Sequence, residues 1–323
     1  MVDRTQAREL VEAAGVAGGE IDITPIPGGT INQAFRLDPA DGPPMVLRIA
    51  PSDADVGAGP SWLTSHGLLR EQEVLRLLAD LGDVLPRRLH FDDSRTLIDR
   101  DWVVQSVVAG QPWSELRDAL DDREHRALWH ELGELTARIH AVEGAEFGPP
   151  ASWHGIRVWS EMMRWDATGL AVDAERYHLD PEPFQMLCRL IDRAVPVLDR
   201  ITRPQLIHSD LGLHHVFIAR GQDGLHHISG LIDFEFGRFA DPLSESVFVA
   251  HELHPTVDDD FAAFCAGYGR PPNRHDDDIR CLIYQMVALG WTATDLVRRG
   301  HRDEVRTVLG TLGDLGRTLE HRV

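Results

Sequence analysis

The order of residues between His208 and Glu235 leaves few folds open to this chain. His208-Ser209-Asp210 is followed by Leu211-Gly212-Leu213-His214-His215 and the apolar run Val216-Phe217-Ile218, and a second apolar run, Leu231-Ile232, then ends on Asp233-Phe234-Glu235. Such a pattern reads as a loop, a strand and a returning strand. An Asp two residues after a His can accept a hydroxyl proton, a donor five residues further can hold a metal, and the returning strand delivers a second carboxylate to that metal. This combination suits phosphoryl transfer, in which positioning and neutralisation of charge on a nucleotide triphosphate and its magnesium supply most of the catalysis.

The arrangement closely resembles that of the aminoglycoside phosphotransferase and choline kinase family, small-molecule relatives of protein kinases. The usual family pattern is H-G-D-L-x-x-x-N followed by I-D-F or I-D-W. Here it stands as H-S-D-L-G-L-H-H and L-I-D-F-E-F-G-R-F-A-D-P, with Ser209 in place of the usual Gly and His215 in place of the usual Asn. Imidazole is a softer donor than an amide oxygen and suits magnesium less well. Members similar to macrolide phosphotransferases carry His at that position. The resemblance spans roughly residues 21–250. It implies an α+β, bilobal protein-kinase-like fold: a small nucleotide-binding lobe with an antiparallel sheet and a helix over residues 1–108, and a larger, mostly helical lobe over residues 109–323. It also implies Asp210 as general base, His215 and Asp233 as Mg2+ ligands, ATP or GTP as phosphoryl donor, and a small hydroxylated acceptor. His208 is expected to scaffold the loop, Glu235 to support the site or meet an amine, and Asp241 to brace the loop or begin the next helix.

Charge and composition narrow the partners. The net charge is −20, from 52 acidic against 32 basic side chains, which argues against nucleic acid or an anionic membrane and favours a cationic small molecule. Clusters such as Asp258-Asp259-Asp260 and Asp276-Asp277-Asp278 read first as solvated or helix-starting. No run of 18 apolar residues occurs and the N-terminus lacks a signal-peptide pattern, so a cytoplasmic protein is expected. Cys188, Cys265 and Cys281 are too scattered for a metal site or a disulfide framework and read as buried thiols.

The chain has no lysine. That excludes Schiff-base chemistry and a lysine-bearing P-loop. On the strand Pro44-Met45-Val46-Leu47-Arg48-Ile49-Ala50, Arg48 stands where the resemblance puts a phosphate-holding Lys; arginine grips phosphate bidentately but is not geometrically equivalent to an ammonium. Residues 1–20 read as an amphipathic helix, and Gly28-Gly29-Thr30-Ile31-Asn32 as a turn whose backbone can approach an anion, between two strands. By the resemblance, Gly28, Gly29, Thr30 and Asn32 cover the phosphates. Residues 50–61 read as a loop. Leu68, Glu71, Leu75 and Leu78 recur at helical spacing. The resemblance gives Glu71 the role of the helix glutamate that orients Arg48, and Glu73, two residues on, is expected to face elsewhere. The buried-type strand Trp102 to Gly110 corresponds to the family's hinge, where Gln105, Ser106, Val107 and Val108 would receive the base through their backbone. Leu128 to His140 reads as a central helix in which His140 packs or caps, and residues 159–163, 184–198, 261–269 and 278–319 are helical in pattern. Trp159, Glu161, Glu245, Glu252, Asp277 and Tyr284 are candidates to reach the acceptor.

Three other functions compete. A kinase of a primary metabolite of the choline, homoserine or sugar type has the same motifs, and an inactive sequestering protein has the same fold. A histidine-based metal hydrolase is disfavoured, because side chains at adjacent positions such as His214 and His215 diverge and no H-E-x-x-H pattern occurs.

Overall fold

The computed structural model describes residues 1–150, 155–248, 258–269 and 274–323. Two compact units emerge. Met1–Ala58, Thr64–Ala119 and Leu213–Phe236 form the first, and Gly59–Leu63, Leu120–Gly212 and Gly237–Val323 form the second.

In the first unit, helix α1 (Arg4–Ala14) starts from a capping box in which Asp3 and Gln6 each bond the other's backbone N–H. It ends at Gly15, whose φ of 63° satisfies the helix end in the left-handed region, so the helix expected over residues 1–20 stops at Ala14. Strands β1 (Ile21–Ile26), β2 (Gln33–Pro39), β3 (Met45–Ile49), β4 (Arg88–Asp92) and β5 (Trp102–Ser106) make an antiparallel sheet in the order β1-β2-β3-β5-β4. Pleating divides their side chains between two faces. Met45, Leu47, Ile49, Trp102 and Val104 join Leu10 and Val11 of α1 in the core. Val103 faces the other way, onto Ala50 and Leu68. Arg48 pairs with Val103 in register and shares its face.

The stretch expected as a loop over residues 50–61 contains the short helix α2 (Asp53–Ala58). It has two carboxylates in its first turn, where the helix dipole favours them. Helix α3 (Gly67–Leu77) begins against Glu235: a Cβ on Gly67 would lie 2.9 Å from Glu235 Oε2, so a larger residue there would have to displace that carboxylate. The short strand β6 (Gln111–Pro112) and helix α4 (Trp113–Leu116) lead out of the sheet. β6 pairs with β8 (Val216–Arg220), which forms a hairpin with β9 (His226–Leu231).

The second unit is mostly helical. Asp121 caps α5 (Asp122–His140), accepting from the N–H groups of Arg123 and Glu124. Leu128, Leu132 and Ile139 are buried at helical spacing, and Gly133 and Gly267 let α5 and the helix Asp258–Tyr268 approach backbone to backbone. Helices α6 (Trp159–Arg176), α7 (Glu182–Arg193) and α8 (Val195–Leu198) follow, then β7 (Gln205–Ile207), which pairs antiparallel with β10 (Arg238–Ala240). The single helical run expected over residues 278–319 is two helices, Arg274–Arg298 and Arg302–Glu320, parted at Gly300 with φ 84°. Among the described residues no disulfide occurs, and Cys188, Cys265 and Cys281 are only half-buried, less buried than their apolar character suggests. Among the described residues no helix is long and apolar enough to cross a membrane.

Candidate active site

The hairpin explains why His215 and Asp233 meet. Val216 pairs with Leu231, so the residues just outside the ladder face one another, and Ile232 N–H donates to the His215 carbonyl at 3.1 Å. His215 Nε2 lies 3.3 Å from Asp233 Oδ2. Asp233 has φ 69°, a left-handed conformation that Asp tolerates better than most residues, and it turns the chain from β9 into the tight turn Phe234–Phe236. Phe234 N–H then donates to Glu71 Oε1 at 3.3 Å.

Arg48 joins these pieces. Its Nη1 donates to both oxygens of Glu71, at 2.7 and 2.5 Å, and its Nη2 donates to Asp233 Oδ1 at 2.6 Å. Glu71 is fully buried, whereas Glu73 pairs with Arg76 on the surface at 3.0 Å, as the helical spacing expects. Burial works to lower the Arg48 pKa, but the charges of Glu71, Asp233 and Glu235 outweigh it and raise the value, so the guanidinium stays charged. Burial likewise works to raise Asp233, yet Arg48 first and His215 second hold its carboxyl well below the usual range.

Glu235 behaves oppositely. Burial first, then the neighbouring charge of Asp233, pushes its carboxyl up to about 8, against the opposing pull of Arg48 and a hydrogen bond from Asn32. That bond, from Asn32 Nδ2 to Glu235 Oε2, is 2.6 Å long and ties the turn after β1 to the turn after β9. Gly28 and Gly29 precede it. Gly28 has φ 95°, and a Cβ on Gly29 would lie 2.6 Å from the Asn32 carbonyl oxygen, so both positions favour glycine; Thr30 between them and Asn32 is exposed. In the segment expected as the hinge, β5 ends at Ser106, whose Oγ accepts from Arg87 N–H at 2.9 Å. Gln105 and Val108 are buried, Val107 is half-buried, and Val108 packs where a side chain on Gly230 would otherwise lie.

The loop that carries Asp210 lies in the second unit, after β7. Glu245, fully buried, accepts from His208 N–H at 2.7 Å, Ser209 N–H at 3.0 Å and Ser246 N–H at 2.8 Å, with His140 Nε2 at 3.4 Å. Ser246 Oγ accepts from Leu211 N–H at 2.6 Å, and His208 Nδ1 accepts from Asp210 N–H at 3.3 Å. His208 is thus a scaffold of the loop. Ser209 has φ 71°, which explains the family's usual Gly; a side chain there costs about 1–2 kcal/mol of backbone strain. Asp241 begins the next turn, one of the two roles expected of it: its Oδ1 accepts from Leu243 N–H, and its Oδ2 from Arg280 and Tyr284. Glu245 braces the loop. A charged residue within the run Leu243-Ser244-Glu245-Ser246-Val247-Phe248 was the signal for it in the sequence.

Three acceptor candidates are accounted for by these internal bonds. Glu245 holds the loop, and Trp159 Nε1 donates at 2.7 Å to the hydroxyl of Tyr284, which donates in turn to Asp241, all of them buried. Glu161 remains exposed in the first turn of α6, while Glu252 and the Asp277 side chain lie outside the described residues.

Burial works to raise the Glu245 carboxyl, and the hydrogen bond and charge of His140, the charge of His208 and the Ser246 N–H outweigh it, holding it at about 2. With its folded pKa depressed, the stability this group contributes is complete above the ordinary value of 4.5 and is lost as pH falls through about 2. Glu245→Ala, which strands buried donors, is expected to cost about 3–5 kcal/mol in urea unfolding at neutral pH. An unchanged midpoint would show that the loop does not depend on Glu245.

A sequence profile of the phosphotransferase enzyme family matches residues 22–278. A search of curated proteins returns no match. Among solved structures, the chain is similar to a thermostable mutant of aminoglycoside phosphotransferase APH(4)-Ia in ternary complex with ADP and hygromycin B. The TM-score is 0.64 and the identity 17%, with 96% of this chain and 97% of that one covered. It is also similar to APH(2″)-IIIa in complex with GDP and kanamycin, with TM-score 0.67, 17% identity, and 98% and 99% covered. These likenesses establish the protein-kinase-like fold: a small part with an antiparallel sheet and a larger helical part. The family profile runs through the Arg48 strand, the Asp210 loop and the Asp233 turn alike, and the chain belongs to the phosphotransferase enzyme family.

Proposed function

We propose that this phosphotransferase moves the γ-phosphoryl group of ATP or GTP, with Mg2+, onto a hydroxyl of an antibiotic such as an aminoglycoside or a macrolide. The observation that carries the proposal is the pair of bonds by which Arg48 joins Glu71 on α3 to Asp233 beyond β9. A cation pinned by a helix carboxylate and set beside a second carboxylate is the arrangement that triphosphate binding needs.

The donor set fits magnesium, which is ordinarily held by one or two carboxylates together with substrate phosphates. Asp233 supplies the carboxylate, and His215 adds an imidazole nitrogen 3.3 Å from it. When bound, the ion neutralises charge on the transferring phosphoryl group. Arg48, oriented by Glu71, holds the α and β phosphates. Gly28, Gly29, Thr30 and Asn32 cover them, and the backbone of Gln105, Ser106, Val107 and Val108 receives the base. Asp210 accepts the proton of the acceptor hydroxyl as that oxygen attacks.

Three observations favour the acceptor class: the net charge of −20 suits a polycation, solved relatives hold hygromycin B and kanamycin, and His215 matches the macrolide-type pattern. Nucleotide and magnesium are available in the cytoplasm, where we place the chain. The test is a titration of the full chain with ATP and with GTP, each with and without Mg2+, followed by ADP or GDP release in the presence of aminoglycosides and macrolides. Magnesium-dependent binding of one nucleotide and acceptor-dependent release are expected. Binding of neither nucleotide would refute the proposal.

A further inference from the structure

The carboxylate that a metal would need is already engaged in this chain. Asp233 Oδ1 accepts from Arg48 Nη2 at 2.6 Å, and Oδ2 faces His215 Nε2 at 3.3 Å. The same guanidinium keeps Nη1 on Glu71, at 2.7 and 2.5 Å. A lysine ammonium is a single point of charge, whereas the planar fork of arginine makes separate bonds to two carboxylates at once. In a chain without lysine, the strand cation therefore spans from α3 to the end of β9.

We infer that Arg48 is a gate on the metal site: its Nη2 covers Asp233 until the phosphates of a nucleotide draw it away, so that metal binding at Asp233 depends on nucleotide. The inference rests on the phosphate and metal roles proposed above. The exchange changes no covalent bond. Arg48 gives up an Asp233 oxygen for a phosphate oxygen, and Asp233 gives up the guanidinium for the cation. Glu71 is the fixed pivot, because it is fully buried and also accepts from Phe234 N–H. The planar guanidinium pivots about its Nη1 contact with Glu71 and swings Nη2 off Asp233. A hydrogen bond to a charged group shifts an equilibrium roughly tenfold to a hundredfold, which sets the size of the gate. By linkage, metal and nucleotide then raise each other's affinity by the same factor.

Mn2+ bound to the full chain without nucleotide, read from the loss of the free-ion signal in electron paramagnetic resonance, tests the gate. Arg48→Met should tighten Mn2+ about tenfold or more while weakening metal-free ADP, measured separately in chelator. A cation that merely supports the fold would weaken both. Arg48→Lys, which keeps the charge but loses the fork, should tighten Mn2+ by a smaller factor, and it decides the matter if Arg48→Met does not fold. Adding Asp233→Asn to either variant should abolish the gain. No gain in a folded variant, or a gain that survives Asp233→Asn, would overturn the gate. Failure of the wild-type chain to bind any nucleotide would instead count against the phosphotransfer proposal, and the Mn2+ comparison would still read the contact between Arg48 and Asp233.

Discussion

Asp210→Asn is expected to lower turnover by a factor of about 100 or more while nucleotide affinity stays close to that of the wild type. The amide keeps the size of the carboxylate and loses its capacity to take a proton. The loop should survive the change, because its fixed points are backbone groups: Asp210 N–H on His208 Nδ1, Leu211 N–H on Ser246 Oγ, and the His208 and Ser209 N–H groups on Glu245. Steady-state kinetics with a saturating acceptor, beside a nucleotide titration, separates the two effects. Turnover near that of the wild type would remove Asp210 from its proposed role.

Asp233→Ala is expected to abolish the magnesium dependence of nucleotide binding. It removes the carboxylate that Arg48 and His215 both face and leaves Arg48 on Glu71 alone. Because residue 233 has φ 69°, alanine there also strains the backbone, and asparagine, which tolerates that conformation better, is the matching control. Both variants should bind nucleotide with the same affinity in Mg2+ and in chelator. An affinity that still rises with Mg2+ in Asp233→Asn would discredit the metal assignment.

Much of the local architecture was legible because it follows from short-range rules. The family resemblance named Arg48 and Glu71 as partners and helical spacing turned Glu73 away; the alternation of the strand Met45–Ile49 sets Arg48 on the face opposite Leu47 and Ile49, where Glu71 meets it. The spacing from His215 to Asp233 is that of a hairpin whose ladder closes at Val216 and Leu231. Glycine, by contrast, is ambiguous in sequence. Gly15 ended a helix that periodicity alone would have carried on to residue 20, and Gly300 split one that looked continuous.

The sequence by itself therefore determined the kind of chain this is, the succession of a strand-rich part and a helix-rich part, and the identity of its reactive side chains, since each depends on residue type and on spacing within a few residues. Only the tertiary structure decided which of those side chains touch. The bond from Arg48 to Asp233 joins residues 185 apart, and that from Asn32 to Glu235 joins residues 203 apart. It also returned residues 213–236 to the first unit and made Glu245 a brace of the Asp210 loop. The physical reason is burial. A charged group inside a packed structure must find a partner wherever the fold supplies one, and nothing in the residues on either side of it says where that will be.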